Sequence, residues 1–163
     1  MVQDAVLIVL GDGGHKEQAK RVIKALSSEL PNTKFVAITE NVKVPLDIFE
    51  VAYVVPDFRK KDSTALEAIV SAIHCSWCAF FALRRLRKSY RIRVAISTGP
   101  GLAIPILFYC KFLKVKTVFF ESWSRFYAPS LSGRVCARFV DKLYYQNKSM
   151  AKFYLRGEWS GRL

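Results

Sequence analysis

The feature that most constrains this chain is a repeated alternation. A short apolar run of strand type leads into a loop rich in glycine or polar residues, and a longer run with helical spacing follows. Val6 to Leu10 is apolar and ends in Gly11-Asp12-Gly13-Gly14. His15 to Leu30 then carries Ala19, Val22, Ile23, Leu26 and Leu30 on one helical face, and Pro31-Asn32 stops it. Lys34 to Thr39 and Val51 to Val55 read as the second and third strands. Ser63 or Thr64 can cap a long helix reaching about Ser89. Arg91 to Ser97 is a fourth strand, and Leu102 to Leu113 a helix that tolerates Pro105 in its first turn. Val115 to Phe120 is a fifth strand, Ser132 to Phe139 a short helix and Val140 to Tyr145 the sixth and last strand. A last helix near Lys148 to Leu155 ends at Gly157. Strands that are apolar throughout are buried on both faces, and their alternation with helices predicts an α/β fold, a doubly wound parallel sheet. In such sheets ligands sit beyond the carboxyl ends of the strands. The 163 residues suit one domain, spanning 1–163.

Charge narrows the partners. Lys and Arg number 26 against 13 Asp and Glu, a net charge of +13. That field favours anionic ligands: phosphorylated groups, lipid headgroups or nucleic acid. A nucleic-acid module needs basic or aromatic residues on an exposed sheet or a recognition helix. Here the basic residues bracket an apolar helix, so no nucleic-acid partner is expected, although a stand-alone basic nucleotide- or nucleic-acid-binding module is the alternative reading. The start, Met1 to Gly14, lacks the basic leader and long apolar run of a signal peptide and reads as a buried strand. Cys75, Cys78, Cys110 and Cys136 are then reduced and structural. Cys75-Ser76-Trp77-Cys78 lies mid-helix with no second pair at ligand spacing, so neither a metal site nor a cofactor is expected.

Three loops carry the candidate chemistry. In Gly11-Asp12-Gly13-Gly14-His15 the glycines permit a sharp turn, and the next helix offers free N–H groups to an anion. A tight turn with no ligand is the plainer account. His15 opens that helix as a general base, a phosphate ligand or simply a packing residue. Asp12 is a possible base or a turn former. Ser97-Thr98-Gly99-Pro100-Gly101 fixes a stiff turn and exposes another helix N-terminus, or is rigid for structural reasons only. In the segment from Glu121 to Arg134, Glu121 and Ser122 follow a buried strand directly. Glu121 can bind a hydroxyl or pair with Arg125, and Arg125 can hold a diphosphate in bidentate fashion.

The predicted helix at about 64–89 is apolar from Ala68 to Leu83, with Arg59-Lys60-Lys61 before it and Arg84, Arg85, Arg87 and Lys88 after it. The run falls short of the ~20 residues of a clean membrane span. It fits a helix lying in the interface, with Trp77, Phe80 and Phe81 in lipid and the basic flanks on headgroups; a core helix with a solvated basic end is the competing account.

In order and spacing together, these pieces resemble one family. They are Gly13-Gly14-His15 with Glu17, Gly99-Pro100-Gly101 with Pro105, Glu121-Ser122 with Arg125, Leu131-Ser132-Gly133, Tyr145-Gln146 and Tyr154 to Gly157. The family is the membrane-anchor subunit of the two-subunit UDP-N-acetylglucosamine transferase of lipid-linked oligosaccharide synthesis, with its prokaryotic polysaccharide counterparts. The resemblance implies a Rossmann-like domain corresponding to the N-terminal half of a GT-B glycosyltransferase split over two chains. It implies an acceptor- and diphosphate-binding surface at Gly11, Asp12, Gly13, Gly14, His15, Thr98, Gly99, Gly101, Glu121, Ser122 and Arg125. His15 inherits a catalytic candidacy from the related transferase of peptidoglycan precursors. The implied partners are a donor-binding catalytic subunit, which brings the UDP-sugar, and a membrane-borne lipid-diphosphate acceptor. The implied location is the cytoplasmic face of a membrane, peripheral or monotopic, with no activity alone. Eukaryotic members begin with a transmembrane helix; this chain begins with its first strand, which points to a bacterial or archaeal member.

Overall fold

The computed structural model describes residues 2–40, 48–58 and 64–161. Seven strands form one parallel sheet: β1 (Gln3–Leu10), β2 (Lys34–Thr39), β3 (Val51–Val54), β4 (Tyr90–Ser97), β5 (Lys116–Phe120), β6 (Lys142–Tyr145) and β7 (Glu158–Trp159). Their order is β3-β2-β1-β4-β5-β6-β7, and every neighbouring pair is parallel. The order reverses between β1 and β4, which places a topological switch point, the usual ligand crevice, at those two strand ends.

Both faces of β1 are buried, which is why its sequence is apolar without alternation. Ile8 and Leu10 pack with Phe35, Ala37 and Ile96 under α1 (Gly14–Glu29), whose Ala19, Val22 and Ile23 close that side. Leu7 and Val9 pack with Val36, Ile38 and Phe119 on the opposite face, under α2 (Ala65–Ser89), α3 (Ala103–Phe112) and α4 (Leu131–Cys136).

Local chemistry sets the helix ends. Thr64 caps α2 in a reciprocal box: its hydroxyl accepts from Glu67 N–H, and the Glu67 carboxylate accepts from Thr64 N–H at 2.8 Å. Arg87 and Lys88 complement the dipole in the last turn. Ser130 caps α4 by accepting from Gly133 N–H at 2.9 Å. The other possible cap, Ser63, and the basic run Arg59-Lys60-Lys61 lie outside the described residues.

Two expectations change near the carboxyl terminus. The last helix is a single 3-10 turn, Lys148–Met150, followed by i→i+3 turns through Tyr154 and Gly157, and then by β7. Met150 and Tyr154 point inward at helix-like spacing, but Tyr154 is fastened to the loop after β5 and the chain turns back to pair with β6. Tertiary anchoring overrides the local period here.

Candidate functional site

Because every strand runs the same way, the loops that follow β1, β4 and β5 emerge at one edge of the sheet. Specific bonds draw them together. His15 Nδ1 lies 2.6 Å from Thr98 O, and Thr98 Oγ1 donates to His15 O at 2.7 Å. Ser132 Oγ donates to Gly99 O at 2.6 Å, tying α4 to the β4 loop. Gln18, wholly buried on α1, donates to Glu121 O at 3.0 Å. Trp123 Nε1 stands 3.5 Å from where a Cβ on Gly14 would lie, and Arg21 stacks over its ring at 4.9 Å.

A carbonyl oxygen only accepts, so the contact with Thr98 O requires the proton on His15 Nδ1. In the neutral imidazole Nε2 is then the acceptor, held in one orientation by a buried partner. The fit is close: Gly99 sits at φ 108, and a Cβ there would approach His15 Cε1 to 3.0 Å. Only glycine combines that backbone with that clearance.

Glu121 is wholly buried, and its carboxylate accepts four bonds. Oε1 takes Ser122 N–H at 2.8 Å; Oε2 takes Ser130 N–H at 3.0 Å, Ser130 Oγ at 3.1 Å and the Tyr154 hydroxyl. Burial, with the Glu121 carboxylate beside it, pushes the Tyr154 phenol well above its ordinary range. Gly133 completes the knot, since a Cβ there would run into Tyr154 and Glu121. The pairing of Glu121 with Arg125 does not form. Arg125 is exposed, with no ion-pair partner among the described residues, and its backbone is pinned by Asn147 Nδ2 donating to its carbonyl at 2.7 Å.

The candidates therefore divide. Thr98, Gly99, Glu121 and Ser122 are buried, and their polar groups hold the loops. Asp12, Gly13, Gly14 and Arg125 are exposed, and His15 and Gly101 are half-buried. The two helix N-termini also differ. No side chain caps α1: Lys16 and Glu17 N–H turn back to Gly13 O at 3.1 and 3.3 Å, and Gly13 and Gly14 are exposed at the edge. The start of α3 is closed: Leu102 and Ala103 are buried, Ala103 and Ile104 donate to Pro100 O and Gly101 O, and Phe58 sits where a Cβ on Gly101 would go. The anion-ready terminus expected after Gly101 is thus occupied by protein. Glu40, directly after β2, was missed. It accepts from Phe58 N–H at 3.1 Å, and burial holds its carboxyl above the ordinary range. Its position at a strand end was the available signal.

α2 is of two kinds along its length. From Cys75 onward, Cys75, Ala79, Ala82, Leu83 and Leu86 are core. None of residues 65–74 is buried, and Leu66, Ile69, Val70 and Ile73 are exposed in a continuous stripe with Trp77 and Phe81. A helix of 25 residues is ~37 Å long and the eight-residue β4 that follows it ~26 Å, so α2 overhangs the site edge by ~10 Å. By length and composition α2 is apolar enough to cross a membrane, but its second half belongs to the core. Phe80, expected in lipid, packs edge-on against Tyr109 of α3 at 5.2 Å. Arg84, Arg85, Arg87 and Lys88 are all exposed. All four cysteines are free, and burial pushes the Cys75, Cys110 and Cys136 thiols up to about 12. Among the described residues no three His, Cys, Asp or Glu cluster to hold a metal ion.

Known proteins share this fold. The UDP-N-acetylglucosamine transferase subunit ALG14 of Eremothecium gossypii is 28% identical over 177 residues, covering 97% of this chain and 79% of that protein. Among solved structures, MurG of Acinetobacter baumannii superposes with a TM-score of 0.63 at 13% identity, over 88% of this chain and 41% of that one. A UDP-N-acetylglucosamine 2-epimerase superposes with a TM-score of 0.67 at 12% identity, over 94% of this chain and 44% of that one. At such identities the structures establish the Rossmann-like fold, and this chain spans about two-fifths of each of them. The family described as oligosaccharide biosynthesis protein Alg14 like matches residues 6–163, and the chain belongs to that family.

Proposed function

We propose that this chain is the acceptor-binding, membrane-docking subunit of a split GT-B glycosyltransferase, working with a separate subunit that binds the UDP-sugar. The observation that carries the reading is the convergence of the β1, β4 and β5 loops on the exposed, uncapped α1 N-terminus, beside an overhanging apolar helix. A lipid-diphosphate acceptor needs both features: an apolar neighbour for its chain and N–H donors for its phosphates. The family relatives named as transferase subunits, and the two-fifths coverage of MurG, support a chain that works with a partner.

In this reading the acceptor diphosphate lies at the N–H groups of Gly13, Gly14 and His15, with the Arg125 guanidinium added from the β5 loop. Thr98 fixes the His15 ring, and Nε2 accepts the proton of the acceptor hydroxyl as that oxygen bonds to the anomeric carbon of the donor sugar and the bond from that carbon to the UDP phosphate breaks, leaving UDP in the partner subunit's site. Glu121, Ser122 and Gly99 position the loops without touching substrate. Trp77, Phe81 and the stripe from Leu66 to Ile73 dock on the cytoplasmic leaflet, with Arg84, Arg85, Arg87 and Lys88 on headgroups.

The test is sugar transfer to a lipid-diphosphate acceptor by the reconstituted pair. Turnover by this chain alone overturns the split-enzyme reading. In the pair, His15→Ala lowers kcat ~100- to 10,000-fold with acceptor KM little changed if His15 is the base. A rise in KM alone assigns it to phosphate binding, and wild-type values for both remove it from the site.

A further inference from the structure

The opposite, amino edge of the sheet carries a second feature. A hollow of about 250 Å3 between α2 and the end of α3 is lined by Phe80, Leu83, Arg84, Arg87 and Leu113, and is almost wholly apolar. A second hollow of about 520 Å3 adjoins it where β4 and β5 begin, with Arg87, Arg91, Arg93, Lys114 and Lys116 in its wall. Arg87 and Leu113 line both, so the two form one cleft, apolar at one end and cationic at the other. Asp4 is the one carboxylate paired with these cations among the described residues, 3.0 Å from Arg93 and 4.0 Å from Arg91. Exposed pairs of that kind are weak, so the cleft keeps a concentrated positive field.

Lys114 adds an independent observation. It sits at φ 58, in the left-handed region, where α3 ends and Val115 N–H returns to Cys110 O. Glycine takes that position without steric cost. A lysine there is a strained residue of the kind that gathers at functional sites, and it brings an ammonium to the cleft.

We propose that this cleft binds one anionic phospholipid, its phosphodiester headgroup among Arg87, Arg91, Lys114 and Lys116 and an acyl chain against Phe80, Leu83 and Leu113. Charge complementarity selects the headgroup, and the apolar end selects the chain. A nucleic acid or a free phosphate satisfies only the cationic half. The inference deepens the docking reading above and rests on it for the source of the lipid; the site lies at the opposite edge from the acceptor loops.

The experiment is calorimetric titration of the full chain with dihexanoyl-phosphatidylglycerol below its micelle concentration. Binding is expected with one-to-one stoichiometry, and at least tenfold tighter than that of dihexanoyl-phosphatidylcholine or inorganic phosphate. Lys114→Gly with Lys116→Gln is expected to weaken it roughly 30-fold, about fivefold for each charge removed. Lys114→Gly relieves the backbone, so an unchanged or higher Tm excludes misfolding as the cause. Equal binding of the choline lipid, phosphate as tight as the glycerol lipid, an unaffected double variant, or an RNA oligonucleotide that binds more tightly and competes each overturns the proposal. Sugar transfer to a detergent-solubilised acceptor by the reconstituted pair is expected to be unchanged in the double variant. No lipid binding by the wild-type chain, with transfer by the wild-type pair intact, removes this inference alone, whereas lipid binding by the wild-type chain without any transfer by the pair removes the functional reading instead.

Discussion

Replacing Glu121 tests whether the β5 loop is held from inside. Its carboxylate is wholly buried, and all four of its partners donate to it. Glu121→Ala strands the N–H groups of Ser122 and Ser130 and the Tyr154 hydroxyl. At ~1–3 kcal/mol for each buried donor left unpaired, the loss is comparable to the whole stability of a domain. Glu121→Gln is more informative. An NH2 group at the Oε2 position would face three donors, so the amide turns to face Ser122 N–H alone. One bond is lost and two donors are opposed, which costs ~2 kcal/mol. For a chain of this length each kcal/mol lowers Tm by ~2–4 °C, so a melt followed by circular dichroism should fall by roughly 4–8 °C. Tyr154→Phe removes one bond and opposes nothing, and should fall by about half as much. A Glu121→Gln melt within about 1 °C of wild type, or a smaller drop than that of Tyr154→Phe, would refute the reasoning.

Other perturbations probe separate parts of the molecule. Gly99→Ala at φ 108 should cost ~1–2 kcal/mol in urea unfolding and displace the His15 ring, seen as a shifted imidazole resonance. Ile73→Ser with Trp77→Ser should weaken flotation with anionic vesicles and leave the melt unchanged, since both side chains are exposed; added salt should weaken wild-type binding through screening. In a thiol titration with an aromatic disulfide at pH 8, half-buried Cys78 should react first and Cys75, Cys110 and Cys136 only after unfolding, because burial holds those three thiols up at about 12. Burial raises the Asp141 pKa, but Lys111 and the Thr117 N–H and hydroxyl outweigh it and leave the folded value below the ordinary one. Its stabilisation is therefore present above the unfolded value of ~3.9 and lost as pH falls through the folded one, so urea midpoints of wild type and Asp141→Asn should differ at pH 7 and converge in acid.

Much of this protein was legible in its residue pattern, because the pattern is local. Val6 to Leu10, apolar on both faces, can only be an inner strand of a covered sheet. Thr64 with Glu67 writes its own cap. A parallel sheet then sends the loops at Gly11, Thr98 and Glu121 to one edge whatever their contents. The pattern could not say which loop residues face outward. Glu121 sits in a polar segment and reads as a hydroxyl-binding group or a partner of Arg125; in the fold it is buried and bonded by Tyr154, 33 residues later. His15 gains its tautomer from Thr98, 83 residues away. Helical spacing near Lys148 to Leu155 gave way to that same Tyr154 anchor. The apolar run of α2 from Ala68 to Leu83 gives no sign of a division, yet its first part is exposed and its second part is core, because the helix is longer than the strand that follows it. The amino-edge cleft joins side chains from α2, β4 and the α3–β5 turn. Period, caps and turns are properties of neighbouring residues, and the sequence by itself determined them. Which groups meet depends on sheet register and element length, and only the tertiary structure decided that.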